Sequence, residues 1–189
     1  MSRLLAWLVL FAMPIAAQAP PDVVEYDFVS GGAVRLKLAA GEYTVRAGAL
    51  PDRIRIRWST REPEDRAKVR ISSEIRGTEA RVETRGPKNF RVEIEVPART
   101  DLHVRLSAGE LKVLGIEGNK NIESRAGDLE IDVVQPDHYR RVDASVTFGG
   151  VEARPFAASK GGSGRSFKWK GPGSYDLHAH LFAGDLTLK

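Results

Sequence analysis

Apolar and polar residues alternate one by one along much of this chain. Arg53-Ile54-Arg55-Ile56-Arg57-Trp58, Lys68-Val69-Arg70-Ile71, Phe90-Arg91-Val92-Glu93-Ile94-Glu95-Val96 and Leu102-His103-Val104-Arg105-Leu106 all follow the pattern. Successive side chains of a strand point to opposite faces, so each run has one apolar and one charged face. That is the signature of a sheet wetted on one side, and the β-branched content of the runs favours strand over helix. Glycine and proline separate the runs, at Gly31-Gly32, Gly77, Gly86-Pro87, Pro97, Gly115 and Gly118 among others. The one helix-like window, 62–68, contains Pro63 and is predicted to be a loop with at most one turn. The expected class is all-β.

A short phrase recurs within this pattern. It reads Ala40-Gly41-Glu42-Tyr43-Thr44-Val45, Ala108-Gly109-Glu110-Leu111-Lys112-Val113, Ala126-Gly127-Asp128-Leu129-Glu130-Ile131 and Ala183-Gly184-Asp185-Leu186-Thr187-Leu188, with a degenerate copy at Phe148-Gly149-Gly150-Val151-Glu152-Ala153. Glycine suits a corner that needs positive φ, and the two apolar residues after it point inward together. From Gly109 to Gly127 is 18 residues and from Gly127 to Gly150 is 23, enough for one coil of two or three short strands. The expected architecture is therefore a solenoid-like stack of β repeats, of the single-stranded β-helix type. An antiparallel β-sandwich whose hairpins share turn chemistry is the rival. Near the end, Ser166-Phe167-Lys168-Trp169-Lys170 is expected to form a hairpin with the strand beginning at Tyr175 and to cap the stack, with its two aromatics in the core.

The first residues read differently. Arg3 is followed by the apolar run 4–13, then Pro14 and the small residues Ala16, Ala17 and Ala19. This is the layout of a secretory signal peptide, expected over 1–19 with cleavage near Ala17 or Ala19, and its apolar core is shorter than the roughly 20 residues that span a bilayer. Residues 20–189 are then expected to be one all-β repeat domain, less regular over 22–96 and clearest over 97–189. The predicted location is outside the cytoplasm, periplasmic or extracellular, with no transmembrane segment in the mature chain. The chain has no cysteine, which excludes disulfides, thiolate metal sites and thiol catalysis. Its 29 Lys+Arg against 25 Asp+Glu are interspersed rather than clustered, which gives no case for nucleic acid.

Hydrolase elbows, phosphate loops, zinc-helix motifs and dinucleotide fingerprints are all missing, so no catalytic residues and no cofactor are assigned. The repeat acids Glu42, Glu110, Asp128 and Asp185 number one per phrase. Calcium-binding rolls need denser ligands, so these carboxylates are read as acceptors for nearby amides. His178 and His180 lie two apart opposite Leu177, Ala179 and Leu181. Even with His103 they are read as a wet strand face, and no metal site is assigned. The candidate binding residues are basic: Arg53, Arg55 and Arg57 on one strand face, with Lys68 and Arg70 on another. They suit a polyanionic glycan, lipid headgroups or an envelope protein.

The stretch of Ile94-Glu95-Val96-Pro97, Leu102-His103-Val104, the phrases at Gly109 and Gly127, Gly115-Ile116-Glu117-Gly118 and Ile122-Glu123-Ser124 resembles the bacterial putative-adhesin family. The resemblance is strongest over 90–133 and extends more weakly to 175–188. It implies stacked β repeats, an envelope location and a non-enzymatic scaffold, and it carries over no catalytic residues; an oligomer is left open. The expected function is a non-catalytic exported envelope protein that presents a stacked β surface for binding or scaffolding. The alternative is a glycan-acting enzyme on a β-helix scaffold.

Overall fold

The computed structural model of the chain describes residues 22–87, 90–156 and 165–189. The predicted leader and the Gly161-Gly162-Ser163-Gly164 loop lie outside the described residues. Thirteen strands form a single sheet: β1 Asp22–Asp27, β2 Ala33–Leu38, β3 Gly41–Ala47, β4 Arg53–Thr60, β5 Arg70–Arg76, β6 Glu79–Arg85, β7 Phe90–Val96, β8 Asp101–Leu106, β9 Gly109–Leu114, β10 Lys120–Ile131, β11 Tyr139–Ala153, β12 Ser166–Lys170 and β13 Tyr175–Leu188. Helix is confined, among the described residues, to three short 3-10 turns, Pro63–Lys68, Pro136–His138 and Arg154–Phe156. The first of these occupies the window where proline was expected to allow one turn at most.

The repeated phrase is the place where a strand turns. In β10, Ile122 and Ser124 point inward before the phrase, and Leu129 and Ile131 point inward after it. Inward positions two apart become odd-numbered instead of even-numbered across Ala126-Gly127, so one strand bends and keeps both halves on the same core. The half over 120–124 pairs with β8 and the half over 127–131 with β9. β13 runs along the whole opposite edge of β10, and β11 pairs with β13. All of these pairings are parallel, and so are β2 with β8, β3 with β9, β2 with β6 and β3 with β7.

The phrases consequently meet in register: Gly41 opposes Gly109, Gly109 opposes Gly127, and Gly184 opposes Gly149. Gly127 has φ +110°, and a Cβ placed there would sit 1.9 Å from the carbonyl oxygen of Gly109. Gly184 stands against Gly127 in the same way, at 1.9 Å. Glycine is needed here twice over, for a backbone conformation closed to other L-residues and for backbone-to-backbone approach.

The arrangement corrects the solenoid expectation. The sheet is a mixed one that wraps into a nearly closed, barrel-like form rather than a single-stranded β-helix. In a solenoid each repeat packs on its neighbour in sequence. Here β6 and β7 lie outside β2 and β3, although they follow them in the chain, and the final strand β13 inserts between β10 and β11. Antiparallel strands complete the sheet: β1 on β4, β4 on β7, β5 on β6, and β12 on β11. An antiparallel sandwich fails as well, because the central pairings are parallel. The hairpin expected from β12 to β13 is also absent, since both strands flank β11. The physical reason is that turn chemistry dictates how a strand bends locally, whereas strand order depends on pairings between residues far apart in the chain.

One buried cluster fills the interior and includes Val34, Leu36, Ile54, Ile56, Leu102, Leu111, Ile122, Leu129, Leu177 and Leu186. Each such side chain contributes about 1.5–3 kcal/mol when fully removed from water. Phe167 and Trp169 do pack inward, against Phe156, with ring centroids 5.2 and 4.9 Å away. Inside the barrel the Tyr43 hydroxyl meets Thr84 Oγ1 at 2.8 Å.

Candidate functional site

The basic residues singled out in the sequence take two positions. Arg53, Arg55 and Arg57 share the outer face of β4, between β1 and β7, and are interleaved with acids from both neighbours. Arg53 donates to Glu25 at 2.9 Å and Arg55 to the same carboxylate at 2.5 Å. Arg57 reaches Glu93 and Glu95 at 3.3 Å each, and Arg46 from β3 pairs with both of these glutamates. The hydrogen bonds from Arg53 and Arg55 hold the Glu25 carboxyl below its ordinary range. Lys68 and Arg70 do not join this ladder. Lys68 pairs with Asp65 at 2.6 Å, and Arg70 donates to the carbonyls of Ala67 and Val69 at 2.7 and 2.9 Å.

A second cationic face lies on β6, β2, β8 and β10. The parallel register places Arg81, Arg35, His103 and Asn121 side by side in one row. Two residues further along, Glu83, Lys37, Arg105 and Glu123 form the next row. Together these rows line a shallow, open depression of about 300 Å³. The second row neutralises itself: Lys37 meets Glu83 and Arg105 meets Glu123, both at 3.4 Å. The first row does not. Arg35 and Arg81 stand on adjacent strands, roughly 4.8 Å apart in the pairing direction. Glu79 approaches Arg35 only to 4.0 Å. Glu74, opposite Arg81, is held by Arg76. Among the described residues no carboxylate forms an ion pair with Arg81. Beside them, His103 is pushed below the ordinary imidazole value, first by burial and then by the Arg35 charge. The Oδ1 of Asn121 is buried without a hydrogen-bond partner.

This face was missed in the sequence because its residues come from four separate segments. Each segment shows only an ordinary outward pair, such as Arg35 with Lys37 or His103 with Arg105. The one available signal was that all four strands are charged or polar at the same two outward positions.

His178 continues the first row beyond Asn121, and His180 meets Ser145 Oγ at 3.1 Å through Nδ1. Among the described residues no group of three His, Asp or Glu is arranged to hold a metal ion. The repeat acids bond across strands: Asp185 Oδ1 accepts from the Gly150 amide at 3.1 Å, and Glu42 accepts from Arg91 at 2.7 Å. Lys120 is strongly perturbed, lowered by burial to about 8. A lysine in that range suits nucleophilic chemistry. However, only 2% of it is exposed, its Nζ donates to the Tyr139 hydroxyl, and it lies 5.1 Å from that ring's centre. Lys120 is thus a core residue.

The fold has a relative among solved structures. A putative cell adhesion protein from Clostridium sporogenes superposes with a TM-score of 0.53 at 16% sequence identity, over 89% of this chain and 99% of that one. Putative adhesins from Bacteroides fragilis and Parabacteroides merdae give TM-scores of 0.28 and 0.24 at 9% identity, covering 91% and 90% of this chain and 98% and 97% of theirs. No protein-family model matches the chain, and no curated protein matches it significantly. The resemblance to putative adhesins read from the glycine phrases therefore agrees with the fold of a solved structure.

Proposed function

We propose that this protein is a non-catalytic, exported, adhesin-like binding protein that holds an anionic envelope partner on the outer face of its sheet. The observation that carries the reading is the row Arg81, Arg35, His103 and Asn121, where two arginines stand side by side with a single long ion pair, Arg35 to Glu79 at 4.0 Å, between them and the surrounding acids. The self-paired ladder of Arg53, Arg55 and Arg57, with Lys68 and Arg70, is an accessory surface in this proposal, because those side chains must exchange existing partners to take a new one. Support for a binding role over an enzyme comes from the depression itself. A glycan-acting enzyme would use facing carboxylates, but Glu83 and Glu123 are each engaged by a cation.

The experiment is a pull-down of isolated envelope fractions at low and high salt, with the Arg35→Ala/Arg81→Ala double variant as comparison. The expected result is retention at low salt that weakens as salt rises and is lost in the variant. Equal retention by the variant would remove this face from the proposal.

A further inference from the structure

We propose that the depression on β6, β2, β8 and β10 is a subsite for one acidic sugar unit of a polysaccharide, its anionic group held by Arg35 and Arg81 and its hydroxyls by His103 and Asn121. The inference rests on the reading above that this face is the contact surface, and it adds the chemistry of the ligand.

Like charges directly opposite each other on adjacent strands destabilise a sheet. Cations also oppose one another at Arg70 with Arg85 and at Arg141 with Lys170, but Arg35 and Arg81 are the pair that lines this depression. An anion between the juxtaposed Arg35 and Arg81 would relieve their repulsion with charge-assisted hydrogen bonds. Guanidinium groups only donate, so this end of the row asks for a multi-oxygen acceptor such as a carboxylate or sulfate.

The other end asks for something different. Depression of the His103 pKa leaves the ring neutral near pH 7, with one donor nitrogen and one acceptor nitrogen. Asn121 lines the depression with an Oδ1 that is covered and has no donor, and a turn of its amide would present that acceptor to a ligand. Leaving such an acceptor unpaired costs about 1–3 kcal/mol. The matching group is a hydroxyl, a donor and acceptor in one. An anion alone satisfies the arginines but not Asn121, and a neutral sugar does the reverse. An acidic sugar satisfies both, and the row spans about three strand spacings, roughly 14 Å, room for one to two sugar rings.

A membrane surface fits less well. The apolar residues lining the depression, Leu36 and Val104, are 3% and 2% exposed, so nothing there can insert among lipid tails. The exposed aromatic pair Phe148 and Phe182 lies on β11 and β13, away from this depression.

The test is calorimetric titration of the purified protein with tetragalacturonate, a sulfated oligosaccharide of similar length, its neutral counterpart, and sodium sulfate. Anionic phosphatidylglycerol vesicles form a separate arm. An acidic oligosaccharide should bind at low salt and its neutral counterpart should not. Whether the carboxylate or the sulfate form binds identifies the acid group, and either supports the proposal. Arg35→Ala and Arg81→Ala should each weaken binding about tenfold or more, as expected for lost charged hydrogen bonds. Asn121→Ala should weaken sugar binding about fivefold, the loss of one hydrogen bond, and leave sulfate affinity unchanged. Arg91→Ala, on a distant exposed pair, is the silent control. These positions are at or near the surface, and unchanged thermal melting will show that each variant folds.

Three outcomes overturn the inference. One is sulfate binding as tightly as the sugars with Asn121→Ala silent, which leaves a simple anion site. Another is arginine-dependent capture by vesicles without sugar binding. The third is envelope retention that depends on Arg35 and Arg81 but is not competed by any acidic sugar. In that last case the proposed function stands and only the ligand class falls.

Discussion

Substitution of Gly127 by alanine is the sharpest probe of how this sheet is built. The residue has φ +110°, and an added Cβ would lie 1.9 Å from the Gly109 oxygen, 2.7 Å from its carbonyl carbon and 2.9 Å from its nitrogen. All three are backbone atoms of a strand inside the sheet, so no flexible side chain can yield. Restoring ordinary contact means opening the pair by more than 1 Å, beyond the reach of the local interstrand hydrogen bond. The backbone strain is worth about 1–3 kcal/mol. A lost interstrand hydrogen bond, with its partner left buried, adds about 1–3 kcal/mol. Gly127→Ala should therefore destabilise by roughly 2–6 kcal/mol. In a chain of this size that lowers the melting temperature by roughly 4–24 °C. Gly127→Val and Gly109→Val should be at least as severe.

Gly77 is the matched control. It also has positive φ, +56°, but nothing lies within 4 Å of its would-be Cβ. Gly77→Ala should therefore cost only the conformational term, about 1–2 kcal/mol. The assay is urea and thermal unfolding followed by circular dichroism. If Gly127→Ala costs no more than Gly77→Ala, close backbone approach along the glycine row does not hold the strands in register.

The remaining predictions concern charge and processing. Burial holds Lys120 at about 8, well below an unfolded lysine. Between pH 8 and 10 the unfolded chain keeps a proton that the folded chain has released, so stability should rise with pH by on the order of 2–3 kcal/mol. Above about pH 10 the slope should reverse, because burial raises Tyr139 and Tyr43 and only the folded chain keeps their protons. Lys120→Met should flatten the rise in urea titrations across this range, and an unchanged profile would assign the rise to another group. Arg55→Glu places a third carboxylate between Glu25 and Glu95 and should destabilise by about 1–2 kcal/mol, partly restored by salt; a salt-independent loss would point to packing instead. Mass spectrometry of protein from the native envelope should find a start near residue 18 or 20, and an intact Met1 on a membrane-bound form would refute export with cleavage.

Much of the secondary structure was legible in the chain because it is a local property. Alternation of Val34, Leu36 and Leu38 with Arg35 and Lys37 assigns a face to every residue of a strand before any partner is known. The Ala-Gly phrases marked where strands bend, since positive φ is a demand of the corner itself. Proline at position 63 limited the only helical window. Strand order was not legible in this way. Identical corners accept any neighbour with the same corner, so nothing local places the phrase at Gly184 between those at Gly127 and Gly149. The same holds for the cationic row. Arg35 and Arg81 are 46 residues apart, and each looks like an ordinary solvated strand position. Only the pairing of β2 with β6 makes them neighbours, because lateral contacts in a sheet come from register between distant segments. The faces and bends of this protein are thus written residue by residue, while the nearly closed sheet and the candidate site on it arise from hydrogen-bonded pairings that no single segment encodes.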